Sequence, residues 1–423
     1  MDFIAESFFN PHLNVGAQRI DAVMTISANG EATATGGARK AVAFVIDVSG
    51  SMQGDKLVAA KHAVRCCIDL LDADTLFSVI SFSNQAKEVV RLTAATPAAK
   101  ELGHQAVQRL EAGGGTAMSN AIRAVKQELQ SAGNLIAYSL FLTDGDNSKD
   151  DEGPLKKAVE ESKGIFQCDC RGVGTDWKPN DLRLIANGLL GNADAVSNPE
   201  KLGEDFRASL GRALSKGVGD VRLRLWSPKT ARIVAIKQMS PEIADLRPLA
   251  HQFDEKTLDV PLGAWGVESR DYHVTIEVDG GVEGDEMLAC RPSIVFVDNG
   301  AERKITGQPV IATWTADEGL TTRINPQVAH YTGQKELADS IREGLEAKAR
   351  GDVDQATKLL GKAAKIAIAT GNDDVTQRLK KVVDVIDEEQ GTVRLKSGAG
   401  KADILELDMG GTRTVRRRPA AAA

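Results

Sequence analysis

Between Ala41 and Lys216 apolar runs of strand length alternate with stretches of helical spacing. Ala41 to Ile46, Phe77 to Phe82, Leu135 to Leu142, Ile165 to Val173 and the weaker Ala193 to Val196 predict strands. Asp55 to Leu71, Pro97 to Leu110, Met118 to Ser131, Pro154 to Lys163, Asn180 to Leu189 and Pro199 to Ser215 predict helices. Pro97 and Pro154 fall where a first helical turn tolerates proline. Such alternation predicts an α/β, doubly wound, Rossmann-like domain with a largely parallel sheet covered by helices on both faces.

From Gly217 the period changes to two. Asp220 to Trp226, Ala231 to Gln238, Thr257 to Val260, Asp271 to Val278, Glu286 to Cys290 and Ser293 to Val297 are short alternating runs separated by turn residues, as in an antiparallel β-sandwich. Two early runs, Phe3 to Phe9 and Arg19 to Ser27, have too few residues to bury a face alone, so they are expected to pair with these later strands. After Gly319 the spacing is helical again, at Gln334 to Arg350, Val353 to Thr370 and Asp374 to Glu388, which suits a C-terminal helical bundle. The string Arg350-Gly-Asp352 reads there as a helix-ending glycine followed by the next helix's cap. The expected domains are residues 1–37 (strands that join the sandwich), 38–216, 217–318 (sandwich), 319–390 (helices) and 391–423, a flexible basic tail.

Composition narrows the class. At 423 residues, with 42% hydrophobic and 26% charged side chains, the chain is a multi-domain globular protein. Its net charge of −7 argues against general nucleic-acid binding, and no run approaches a membrane span. The five cysteines show no disulfide framework: Cys66 and Cys67 adjoin, Cys168 and Cys170 alternate on a strand, and Cys290 stands alone. With no basic segment leading into an apolar run at Met1 to Glu6, the expected compartment is the cytoplasm.

The chemistry lies at strand ends. Asp47-Val-Ser49-Gly-Ser51 follows the first buried run, Gly113-Gly-Gly-Thr116 precedes a helix, and Thr143-Asp144-Gly ends a later strand. Two carboxylates and three neutral hydroxyls suit a hard cation such as Mg²⁺, which binds oxygen at about 2.0–2.1 Å and keeps several waters. The neutral hydroxyls leave the cation under-neutralised, so an open position would attract an outside carboxylate. No nucleophile paired with a base and an orienting group accompanies the set.

In this order the residues resemble the metal-ion-dependent adhesion site of von Willebrand factor type A domains, over Ala41 to about Lys216, with Asp47, Ser49, Ser51, Thr116 and Asp144 matching its five positions. The resemblance, to bacterial intracellular members, implies that the strands ending at Asp47 and Asp144 are neighbours, that Mg²⁺ (or Mn²⁺) binds, and that the function is non-enzymatic. The expected function is a scaffold that captures an acidic residue of a protein partner, in phosphorylation signalling or beside an AAA-type ATPase. An extracellular adhesin is one alternative. An aspartyl-phosphate hydrolase using Asp47 is another, weakened because the general-acid position two residues on is Ser49. A P-loop reading fails, since no Lys follows Gly113-Gly-Gly-Thr. Asp146 and Asn147 are candidate rim contacts. In the tail, Thr412 and Thr414 beside arginines are candidate phosphoacceptors for a forkhead-associated reader.

Overall fold

The computed structural model describes residues 1–30, 39–130, 135–298 and 300–417. The expected boundary between 37 and 38, the expected helix end at Ser131, and Arg418 with the residues after it lie outside this set. The chain divides into two compact units, one formed by Met1–Glu31, Asp220–Leu262 and Val267–Ala423, the other by Ala32–Gly219 and Gly263–Gly266.

The first unit opens with β1 (Asp2–Phe9), β2 (His12–Asn14) and β3 (Arg19–Asn29). The second unit carries β4 (Arg39–Asp47), α1 (Asp55–Asp69), β5 (Leu76–Phe82), β6 (Ala86–Ala94), α2 (Pro97–Gln108), α3 (Met118–Gln130), β7 (Leu135–Gly145), α4 (Glu152–Ser162), β8 (Gln167–Asp176), α5 (Pro179–Gly188), β9 (Ala193–Val196) and α6 (Leu202–Leu214). Its sheet has the order β6-β5-β4-β7-β8-β9, all parallel except β6, which runs antiparallel to β5.

The strand β4 is apolar throughout its length because both its faces are covered. Val42, Phe44 and Ile46 enter a core with Leu57 and Val64 of α1, Val107 of α2 and Phe206 and Leu210 of α6, while Ala43 and Val45 point the other way. Each such fully buried Val, Ile or Phe is worth about 1.5–3 kcal/mol. The chain steps from β4 to β5 on one side and later to β7 on the other, so the strand order reverses between β4 and β7. That reversal opens a crevice at the carboxyl ends of the two strands. The edge strand β6 was not expected from the sequence: Ala-Lys-Glu-Val-Val-Arg-Leu-Thr-Ala has no clean alternation, and none of its residues is fully buried.

In the first unit β1 and β3 join later strands in the order β1-β3-β15-β11-β12, with β11 (Ala231–Ser240), β12 (Ala244–Asp245) and β15 (Glu268–Val278). A second sheet has the order β13-β14-β10-β16-β18-β2, with β17 also on β16; these are β10 (Val218–Trp226), β13 (His251–Asp254), β14 (Thr257–Trp265), β16 (Glu286–Asp298), β17 (Ala301–Thr306) and β18 (Val310–Thr315). The pairs β1/β3, β3/β15, β15/β11, β11/β12, β13/β14, β10/β16, β16/β17 and β16/β18 are antiparallel, and β2 runs parallel to β18. Phe3 of the first sheet packs on Phe296 of the second with ring centroids 4.7 Å apart. The expected break at Arg291-Pro292 does not occur. Strand β16 runs through it, bulging between Leu288 and Cys290 as it leaves β18 and pairs with β10.

The helices are α7 (Glu318–Thr321), α8 (Pro326–Ala349), α9 (Val353–Ala369), α10 (Asp373–Val382) and α11 (Lys401–Gly410). Gly351 has φ of +80° and Asp352 accepts from Gln355 N at 3.1 Å, so Arg-Gly-Asp is a helix end and a cap. The last expected helix is shorter than its spacing suggested. At Val382-Val383-Asp-Val-Ile the β-branched residues turn to strand, giving β19 (Val383–Asp387) and β20 (Thr392–Leu395). The turn between them lies so close to α9 that a Cβ on Gly361 would come within 2.1 Å of Gly391 O.

The expectation of a flexible tail from 391 is corrected. Strand β20 and helix α11 follow, and Leu407 is fully buried in one core with Leu360, Leu379 and Val393. Beyond α11 the chain is held down: Ile243 N donates to Thr412 O at 2.8 Å, Thr414 N to Pro241 O at 3.0 Å, and Asn372 Nδ2 to Arg413 O at 3.0 Å. Arg416 Nε reaches Asp271 Oδ2 at 3.0 Å. A segment too polar to bury apolar area is ordered here because its backbone and its arginine find fixed partners.

Candidate metal centre

Asp47 is the last residue of β4, and its oxygens are both engaged: Ser49 N donates to Oδ1 at 2.7 Å, and Thr143 Oγ1 donates to Oδ2. The carboxylate is completely buried, and burial pushes its pKa up to about 6 against the pull of the Thr143 and Ser49 hydrogen bonds, with neighbouring Asp144 adding to the rise. Such a group gains most from a nearby cation.

The loop after Asp47 is pinned to the glycine loop. Val48 N donates to Phe82 O at 2.8 Å, Gly113 N to Val48 O at 2.7 Å and Gly50 N to Gly114 O at 3.0 Å. Gly114 has φ of +88°, a conformation that glycine adopts without strain. Asn84 Oδ1 accepts from Gly115 N at 2.9 Å, and Ser148 donates to Thr116 O through both its N and its Oγ, at 2.9 and 2.7 Å. Thr116 is thereby presented toward Ser49 and Ser51.

At the centre Ser49 Oγ lies 3.0 Å from Ser51 Oγ, and Ser51 Oγ donates to Asp144 Oδ1 at 2.7 Å. Gly145 borders the same space. A Cβ there would stand 3.1 Å from Thr116 Oγ1, 3.3 Å from Ser51 Oγ and 3.8 Å from Ser49 Oγ, so three hydroxyls from two loops converge on one small cradle that a side chain would fill. The five residues singled out in the sequence are therefore brought together. Their donors, two carboxylates and three hydroxyls, fit a hard dication and are too oxygen-rich for a soft one. Among the described residues no three His, Cys, Asp or Glu side chains gather to hold a metal, so the hydroxyls are essential to any site here.

Of the two candidate rim residues one is exposed and the other buried. Asp146 is exposed and pairs with Lys178 at 3.4 Å. Asn147 is buried, and its Oδ1 accepts from Met118 N at 3.1 Å, while Asp151 accepts from Ser119 N at 2.8 Å. Those two buried side chains satisfy the first backbone amides of α3. Thr143 and Lys56 were missed. Thr143 fills an apolar strand pattern in which a hydroxyl goes unnoticed. Lys56 sits in a helix's first turn, where lysine reads as solvated, yet its Nζ is 2.6 Å from Asp144 Oδ2.

Cys168 and Cys170 are fully buried with their Sγ atoms 3.9 Å apart, and burial pushes the Cys170 thiol far up, which suits inert core thiols.

The comparisons with known proteins agree with this architecture. The von Willebrand factor type A domain matches residues 41–206, and the von Willebrand factor type A C-terminal domain matches residues 365–411, across the point where the sequence suggested a flexible tail. A solved structure described as von Willebrand factor type A from Catenulispora acidiphila is 39% identical with a TM-score of 0.92, covering 98% of this chain and 97% of its own. The protein therefore belongs to the von Willebrand factor type A family. The ArnB paralog VWA2 from Sulfolobus acidocaldarius, at 14% identity and a TM-score of 0.62 over 97% of this chain and 98% of its own, shares the fold. An uncharacterized protein of Synechocystis sp. is 30% identical over 208 residues, 48% of this chain, and the match spans about half (49%) of that relative's length. Among the described residues no helix is long and apolar enough to cross a membrane.

Proposed function

We propose that the chain is a non-enzymatic interaction scaffold, whose A domain captures a carboxylate of a protein partner through Mg²⁺ or Mn²⁺ held by Ser49, Ser51 and Thr116, with Asp47 and Asp144 direct or bridged by water. The observation that carries this reading is the convergence of three hydroxyls and Asp144 on the cradle beside Gly145. A bound dication would offer a Lewis-acidic open position to the partner's carboxylate. Thr143 and the Ser49 amide hold Asp47 in place, and the loop from Gly113 presents Thr116.

Against the hydrolase alternative stand the complete burial of Asp47 and the presence of Ser49, rather than a second carboxylic acid, at the general-acid position two residues on. A forkhead-associated reader of Thr412 or Thr414 would meet a segment that is held in place. Thr414 Oγ1 donates to Met239 O and Pro241 O, and the backbones of Thr412 and Thr414 are bonded to Ile243 and Pro241, so a reader would first have to lift the segment off.

The test is Mn²⁺ calorimetry, paired with recovery of native-lysate partners with and without chelator. Wild type is expected to bind Mn²⁺ and to release its partners to chelator, whereas Ser51→Ala and Asp144→Ala lose both. Unchanged Mn²⁺ binding in the two variants would remove the assignment.

A further inference from the structure

Beside the hydroxyl cradle stands a cation that belongs to the chain itself. Lys56, in the first turn of α1, holds Nζ 2.6 Å from Asp144 Oδ2 and 3.9 Å from Asp176 Oδ2. The Asp144 side chain is wholly buried, that of Lys56 is 26% exposed and that of Asp176 is 65% exposed. Gly174 of β8, with φ of +70°, makes room for the lysine stem: a Cβ there would come 3.2 Å from Lys56 Cε and 3.5 Å from Nζ. Three elements, α1, β7 and β8, thus build a slot that delivers an ammonium to a fully buried carboxylate of the crevice.

We propose that Lys56 is a tethered counter-cation that competes with the divalent metal for Asp144 and so sets the metal affinity of the site; this rests on the metal reading given above. A buried carboxylate without a positive partner is strongly disfavoured. Ser51 Oγ on Oδ1 and Lys56 Nζ on Oδ2 give Asp144 a partner on each oxygen from within the chain. An incoming dication then meets a like charge. Either Lys56 swings toward the exposed Asp176 and solvent, giving up its bond, or it stays and repels the metal. The first route costs the free energy of the Lys56–Asp144 pair and the second the repulsion between the two cations, so both weaken binding, and by reciprocity metal binding disfavours Lys56 at Asp144 to the same degree. A partner carboxylate placed at the metal offsets the extra positive charge, so the ammonium makes metal binding depend more steeply on the partner.

The experiment is a Mn²⁺ titration of wild type, Lys56→Met and Lys56→Gln by calorimetry, with melting of each protein metal-free and at saturating Mn²⁺. Glutamine keeps a hydrogen-bond donor to Asp144 without the charge, and so covers a failure of the methionine variant to fold. A folded variant is expected to bind Mn²⁺ about tenfold or more tightly than wild type. Metal-free it should melt below wild type, and saturating Mn²⁺ should close the gap. Affinity equal to or weaker than wild type in a folded variant overturns the proposal and leaves a purely structural ion pair. Metal-free variants that melt like wild type overturn it too, because then no pair holds Asp144. Absence of Mn²⁺ binding in wild type as well as the variants removes the metal reading, and this inference with it.

Discussion

Replacing Arg416 by alanine tests the ordered C-terminal segment and the buried carboxylate it serves. Asp271, on β15, is 1% exposed and accepts from Thr25 Oγ1, from the Tyr331 hydroxyl on α8 and from Arg416 Nε at 3.0 Å. Breaking a buried pair by removing one partner costs about 3–5 kcal/mol. The Arg416 side chain is 29% exposed, so water and salt screen part of that, and two hydroxyls remain on the carboxylate. The expected loss falls to about 1.5–3 kcal/mol. For a unit of this size that lowers the melting temperature by about 3–12 °C. The assay is scanning calorimetry, which separates the transition of the unit holding Asp271 from that of the A domain, since a two-unit chain need not melt in one step. Asp271→Asn supplies the control: with the charge gone, Arg416→Ala should cost markedly less in that background. An Arg416→Ala protein within about 0.5 kcal/mol of wild type, or the same cost in both backgrounds, would refute the reasoning and return the segment to a loose tail.

Gly145→Ala places a methyl group against the hydroxyls of Thr116, Ser51 and Ser49 and should reduce Mn²⁺ affinity by about tenfold or more with circular dichroism unchanged; wild-type affinity would mean that the cradle is not the metal's place. Deleting residues 1–30 removes β1 and β3, leaving β15 unpaired along one edge, so the truncated protein should aggregate in sedimentation assays, and a soluble, cooperatively melting product would contradict the pairing. Asp21 is held well below the usual carboxylate range: burial works against this, but bonds from His273, Arg19 and Thr275 outweigh it. Its folded-state value is depressed, so its stabilising contribution is complete above the unfolded value of about 4 and is lost as pH falls through the acid range. Asp21→Asn should therefore destabilise at pH 6 and progressively less toward pH 3, and a pH-independent difference in melting would count against this account.

The parts of the molecule legible in the sequence were those in which one local rule decides. The strand β4 is apolar at every position from Ala41 to Ile46 because neither face meets water, and a carboxylate directly after such a run has only the sheet's functional edge to occupy. The same holds for the cap at Asp352, where one side chain and one glycine settle the turn. What escaped was set by partners distant in sequence. Strand β6 has an unremarkable pattern and exists because the edge of β5 was open to it. The segment after α11 is polar and basic, which in isolation describes disorder, and what orders it is Asp271 on β15 and the carbonyls around Pro241.

Lys56 belongs to that second class, and it shows what a motif of local signals leaves out. The five oxygen side chains could be recognised because each follows a strand or precedes a helix within a few residues of a glycine. A lysine in a helix's first turn carries no such mark, and its ordinary reading is a solvated charge, disfavoured there by the helix dipole. Only the distance to Asp144 and the space left by Gly174 turn it into part of the site. The motif defines which atoms could hold a dication, whereas affinity depends on every charge within reach of them. A chain that keeps Asp47, Ser49, Ser51, Thr116 and Asp144 but lacks a cation at 56 should bind metal tightly without a partner, and one with Lys56 should couple metal and partner more strongly. Measuring Mn²⁺ affinity with and without a soluble carboxylate such as acetate, in wild type and Lys56→Gln, compares those two cases: the carboxylate should enhance affinity more in wild type, and equal enhancement would show that the ammonium plays no part in the coupling.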